Sequence, residues 1–154
     1  MKRQHAFLAA LIALVLHTTA LAADLLDNAD IAHFGDLLEA RRVVPGEQQL
    51  FINQVGQQHL AVLDQTGDSL LGGIVQHGSQ HEAYLLQHGG NLIASIWQYG
   101  HANQAAILQF GYGNQAQIVQ AGAHNIASIE QSGSGLYGRI TQVGNGLHAH
   151  VRQH

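Results

Sequence analysis

From residue 48 onward, polar and apolar positions fall on a fixed grid of eleven. Gln recurs in register at Gln54, Gln65, Gln76, Gln87, Gln98, Gln109, Gln120, Gln131, Gln142 and Gln153. Two residues before each stands a branched aliphatic: Ile52, Leu63, Ile74, Leu85, Ile96, Ile107, Ile118, Ile129, Ile140 and Val151. Four before is Ala or Gly in every copy but the first, where Leu50 stands. Two after lies Gly: Gly56, Gly67, Gly78, Gly89, Gly100, Gly111, Gly122, Gly133 and Gly144. The unit reads N-x-A-x-I-x-Q-x-G-x-x, cleanest in the copies that begin at Asn103, Asn114 and Asn125.

An eleven-residue period suits either a right-handed helical coil or a strand plus a turn. Ala-x-Ile-x-Gln alternates with period two, the signature of a strand with one buried face. A Gly in every unit would cost a helix ~1 kcal/mol each time. The sequence therefore predicts an all-β fold. It is a two-sheet β-solenoid of five 22-residue rungs, built from ten 11-residue strand-turn units and cross-β in the amyloid sense. Each unit is expected to hold a strand of about five residues and a Gly-bearing turn. Pro45 is the last proline, so every later residue can donate to a ladder.

Residues 22 apart then stack, which puts the Gln amides into two columns. A primary amide donates and accepts, so each can bond to the rung above and the rung below. The Asn positions, such as Asn103 over Asn125, are expected to do the same at the turn. A solenoid end exposes an unpaired strand edge, a template for another chain. No polar cap is recognisable after Gln153, so end-to-end self-association is the expected behaviour.

Composition adds a compartment. Lys2, Arg3 and His5 precede an apolar run from Ala6 to Leu16, followed by Ala20-Leu21-Ala22. This is the layout of a signal peptide over residues 1–22, with a run too short to span a bilayer. Residues 23–47 lie outside the grid and carry Ile31, Phe34, Leu37 and Leu38 at helical spacing, which reads as a secretion or targeting segment that could form a short helix. The solenoid is expected over 48–154. Charged residues make up only 10% of the chain, and no basic stripe suggests nucleic acid. Cys is absent, which removes disulfides and thiolate chemistry.

Little else points to a reaction. The twelve His lack metal-ligand spacing and read as surface residues, although His59 and His81 should stack one rung apart. Protonating that pair together should slow assembly. Asp64, Asp68, Glu82 and Glu130 fall on different rungs or turns, so no carboxylate pair forms. Gly73 and Gly90 read as turn residues, and Trp97, Tyr99 and Phe110 as outward or turn residues. No catalytic residue, metal site or cofactor is expected.

The repeat resembles that of the curlins, the subunits of bacterial curli fibres. The resemblance covers 48–154 and rests on Gln98-Tyr99-Gly100 followed by Asn103-Gln104-Ala105 and Gln109. It implies a secreted structural protein, carried through the periplasm and an outer-membrane secretion pore to an extracellular curli fibre at the cell surface. There it would serve adhesion and biofilm matrix. The position six before each Gln never holds Ser, unlike the family's major subunit. The last rung is basic, with Arg139, His148, His150 and Arg152 as candidates for surface attachment. Both features look more like the minor subunit, which nucleates the major one and takes it as its partner. The alternatives are the major subunit itself and, in a different class, a monomeric ligand-binding β-solenoid. Mixed outward residues such as Phe51, Val62, Tyr84 and Ser95 lack the flat regular array the last would need.

Overall fold

The structure is a computed structural model and describes residues 45–154. The expected signal peptide, and the expected segment after it as far as residue 44, lie outside the described residues.

Ten strands follow one another with short connections. They are β1 (Gln48–Gln57), β2 (Leu60–Asp68), β3 (Leu70–Ser79), β4 (Glu82–Gly90), β5 (Ile93–His101), β6 (Gln104–Tyr112), β7 (Gln115–Ala123), β8 (Ile126–Ser134), β9 (Tyr137–Asn145) and β10 (His148–Gln153). Alternate strands pair in parallel. One five-stranded sheet runs β1-β3-β5-β7-β9 and the other β10-β8-β6-β4-β2. Each residue faces the one 22 positions on, as Gln76 faces Gln98 and Gln87 faces Gln109. This is the β-solenoid of five rungs that the eleven-residue grid requires.

The core is the aliphatic and small columns of the grid. Ile74, Ile96, Ile107, Ile118 and Ile129 are 0% exposed, and Ala83 and Ala94 lie beside them, equally buried. Period-two alternation aims Ala, Ile and Gln of each unit between the sheets and leaves the intervening residues outside. In the first rung, Ile52 of β1 is 43% exposed.

The strands are longer than the five residues expected, at nine or ten in β1 to β9. The column Gly56 to Gly144 explains this. These glycines have φ between +109° and +153° yet stay in the ladder, as Gly78 does opposite Gly100. They bend the strand without ending it. The true reversal comes two residues later, where Gln58, Ser69, Gln80, Asn91, Ala102 and His124 take φ between +51° and +59°. Such a φ strains a residue with a Cβ. At Gln80, Asn91, Ala102 and His124 a bond to the preceding rung holds it, such as the Ala102 N–H donated to the Ser79 carbonyl at 2.9 Å.

Three turn or outward expectations change. Gly73 lies inside β3 rather than in a turn. Gly90 is the last residue of β4. Trp97 has outward register but is only 7% exposed, its ring 6.2 Å from that of Tyr99. Burial raises the Tyr99 hydroxyl pKa above its ordinary value. Phe110 does face outward, at 41% exposure.

Candidate functional site: amide ladders and strand edges

The inward Gln of each strand meets its counterparts in the rungs above and below. In the first sheet Gln54 Nε2 donates to Gln76 Oε1 at 2.7 Å, Gln76 to Gln98 at 2.9 Å, Gln98 to Gln120 at 3.0 Å and Gln120 to Gln142 at 2.9 Å. In the second, Gln65 donates to Gln87 at 2.6 Å, Gln87 to Gln109 at 2.9 Å, Gln109 to Gln131 at 2.8 Å and Gln131 to Gln153 at 2.8 Å. Gln76, Gln87, Gln98, Gln109 and Gln120 are 0% exposed. A buried amide left unpaired is costly, so the ladders reward a single register.

Both ladders run one way. Gln76 Nε2 also donates to the Leu60 carbonyl at 3.0 Å, and Gln109 Nε2 to the Ile93 carbonyl at 3.1 Å. A flipped amide would set Oε1 against a carbonyl oxygen, so the backbone fixes the donor side. Every amide therefore donates toward β9 and β10. At the opposite end, Gln65 Oε1 is buried with no hydrogen-bond partner among the described residues.

The Asn column works differently from the expected amide-to-amide stack. Asn103 Oδ1 accepts the backbone N–H of Asn125 at 3.0 Å, while its Nδ2 donates to the Gly122 and Tyr99 carbonyls at 3.0 and 2.9 Å. Asn114 and Asn125 repeat this with the N–H groups of Leu136 and Leu147. The side chain thus ties its rung to the backbone of the next, and the next rung needs no Asn.

His59 and His81 occupy the same column. Their rings stack at 5.2 Å with 5° between planes. His81 Nδ1 accepts the Asn103 N–H at 3.2 Å and its Nε2 donates to the His77 carbonyl at 3.1 Å, so the ring is neutral with its proton on Nε2. His81 is 0% exposed, unlike the surface histidine expected. Burial, chiefly, lowers its pKa below the ordinary 6.5. The missed signal was positional: both His stand where other copies carry Asn.

The basic residues of the last rungs do not form one patch. Arg139 is exposed on β9 in one sheet, whereas His148, His150 and Arg152 alternate along β10 in the other. His150 Nδ1 lies 2.6 Å from Ser128 Oγ. Arg152 forms an ion pair with Glu130 one rung below, Nη2 to Oε2 at 2.5 Å. Among the described residues no three His, Asp or Glu side chains gather as a metal-binding group.

Two parallel sheets closed around directional amide ladders define a structural β-solenoid. Models of the curlin associated repeat match residues 67–100, 93–122, 100–133 and 122–154, and the chain belongs to that family. The repeats mark it as a curli fibre subunit of a structural amyloid family whose members form extracellular fibres. No curated protein matches the chain.

Proposed function

We propose that the chain nucleates curli fibres at the cell surface and is built into them. It would offer a folded edge on which a major curlin subunit orders its first rung. The observation that carries this reading is the directional Gln ladder, because it templates both the register and the orientation of an incoming strand. The absence of Ser from the column six before each Gln and the basic residues Arg139, His148, His150 and Arg152 support the minor role over the major one. Residues 1–22 and 23–47 would direct secretion through the periplasm and an outer-membrane pore. Adhesion and biofilm matrix are the functions such a fibre would serve.

The test is thioflavin T kinetics of residues 23–154, alone and in small proportion beside a purified major curlin. Loss of the partner's lag supports the nucleator. Fibres that form alone but leave that lag unchanged assign the chain as a major subunit. A chain that stays monomeric in both arms overturns the fibre reading.

A further inference from the structure

Part of the outer flank of the first sheet is buried although no described strand covers it. Leu71, Gly73 and Val75 of β3 stand in outward register opposite Ile93, Ser95 and Trp97 of β5. Leu71 is 2% exposed and Ser95 0%, and Gly73 and Trp97 are buried as well. Further along the same columns Gln117 is half-buried, and Tyr137, Arg139 and Thr141 are exposed. Among the described residues, β3 and β5 touch only the strands stacked on them and those facing them across the core.

The way the chain enters the solenoid points to the cover. Pro45 and Gly46 form a turn, with Gly46 at φ +81°. Pro followed by a Gly of positive φ suits the two central positions of a type II turn, which reverses the chain. The Gly46 N–H donates to Ser69 Oγ at 2.9 Å and the Leu70 N–H to the Glu47 carbonyl at 3.0 Å, which pins this turn beside the start of β3. From this we infer that residues 32–44 fold back along the outer flank of β3 and β5 and are its cover.

The chemistry of the two surfaces fits. None of the six flank residues carries a charge. Gly73 and Ser95 make the middle of the face low, between Leu71 and Ile93 on one side and Val75 and Trp97 on the other. Phe34, Leu37 and Leu38 supply an apolar stripe at helical spacing to lie in that groove. Thirteen residues would span ~20 Å as a helix, enough to cover the ~13 Å from Leu71 to Val75. Ser95 Oγ is buried with no hydrogen-bond partner among the described residues. A hydroxyl left so is costly, and a polar group of the covering segment would satisfy it. The groove lies on the side of the solenoid, so the inference goes beyond the fibre reading and holds whether the chain nucleates fibres, extends them or stays single. The segment expected to direct secretion would thereby become part of the folded domain.

Trp97 is the single tryptophan of the chain, so its fluorescence reports on the groove. In folded residues 23–154 acrylamide is expected to quench it weakly. F34D/L37D should raise the quenching constant about threefold and shift emission to the red, as local protection is lost. Trypsin gives a second readout. Wild type is expected to be cut after Arg41 and Arg42 about tenfold more slowly than a free peptide of residues 32–47, and F34D/L37D to approach the peptide's rate. Free quenching of Trp97 in wild type, or wild-type cleavage at the peptide's rate, overturns the inference. Trp97 still protected in F34D/L37D also overturns it, and assigns the cover to another molecule.

Discussion

The backbone N–H of Asn103 donates to Nδ1 of His81 at 3.2 Å, as the N–H of Asn125 donates to Oδ1 of Asn103 one rung on. An imidazole with its proton on Nε2 offers one acceptor and one donor, as an Asn amide does, and the ladder uses either. The difference is that the imidazole can take up a proton. Protonation would replace the Nδ1 acceptor with an N–H aimed at the Asn103 N–H.

That substitution makes stability depend on pH. Burial first, and then the nearby His59, His101 and His77, lower the His81 pKa, opposed by its bond to the His77 carbonyl. Once pH falls through the unfolded value of 6.5, the unfolded chain takes up a proton that the folded ring resists. Stability is therefore greatest above that pH and declines below it. Fibres of the wild-type chain are expected to dissociate at lower denaturant concentration at pH 5 than at pH 7.5. H81N should narrow that gap and leave the neutral-pH midpoint close to wild type. An unchanged gap in H81N would place the pH response elsewhere.

Position along the ladder sets the cost of losing an amide. Gln98 accepts from Gln76 and donates to Gln120 and to the Glu82 carbonyl, all without solvent. Q98A orphans several buried groups at about 1–3 kcal/mol each. Gln54 is exposed and donates to Gln76 Oε1 at 2.7 Å. Q54A is expected to cost the monomer under about 1.5 kcal/mol, the net worth of one such bond. Guanidinium midpoints of the two variants check the ranking, and equal losses would mean that the ladder contributes no register-specific stability.

Much of this was legible in the sequence, for physical reasons. A rung of fixed length forces identical residues into contact, so the Gln period of eleven specified both sheets and their register. The second left-handed position was hidden because glycine holds it only at Gly113, Gly135 and Gly146, while Gln58, Ser69, Gln80, Asn91, Ala102 and His124 hold it elsewhere. From Gln80 onward a bond to the preceding rung holds that conformation whatever the residue type, so no column of identity marks it. The roles of His59 and His81 were hidden similarly, since equivalence with Asn lies in the placement of donor and acceptor rather than in size or polarity class. The complementarity of Leu50 with Gly72 needed the pairing of β1 with β3 before it had meaning.

Two inner-rung glycines should respond oppositely to a methyl group. A Cβ on Gly78 would lie 1.9 Å from the Gly100 carbonyl oxygen at φ +128°, so backbone must move. Gly73, in the same strand, has nothing within 4 Å of such a Cβ and no positive φ. G78A is expected to exceed ~4 kcal/mol of destabilisation, the range reserved for severe steric or strain effects. G73A should gain about 0.4–1 kcal/mol by restricting the unfolded chain. Denaturant midpoints of the two variants report both signs, and a tolerated G78A would contradict the close approach of the rungs.

The last glycine of that column separates folding from growth. A Cβ on Gly122 would sit 1.9 Å from the Gly144 carbonyl oxygen, whereas one on Gly144 meets only Leu147 Cδ1 at 3.7 Å. The two have nearly equal φ, +127° and +128°, so the cost of leaving glycine is shared. What differs is the rung above. For Gly122 it belongs to the same chain; for Gly144 it would be Gly56 of a second copy added end to end in the 22-residue register. G122A is expected to fold poorly. G144A should fold with only the shared φ cost and add its β1 and β2 edge to wild-type fibres, but then refuse the following subunit. A small proportion of G144A mixed with wild-type chains should therefore lower the elongation rate and shorten the fibres seen by electron microscopy. Fibres of wild-type length, with G144A built into them, would show that β9 does not receive the next copy at this register.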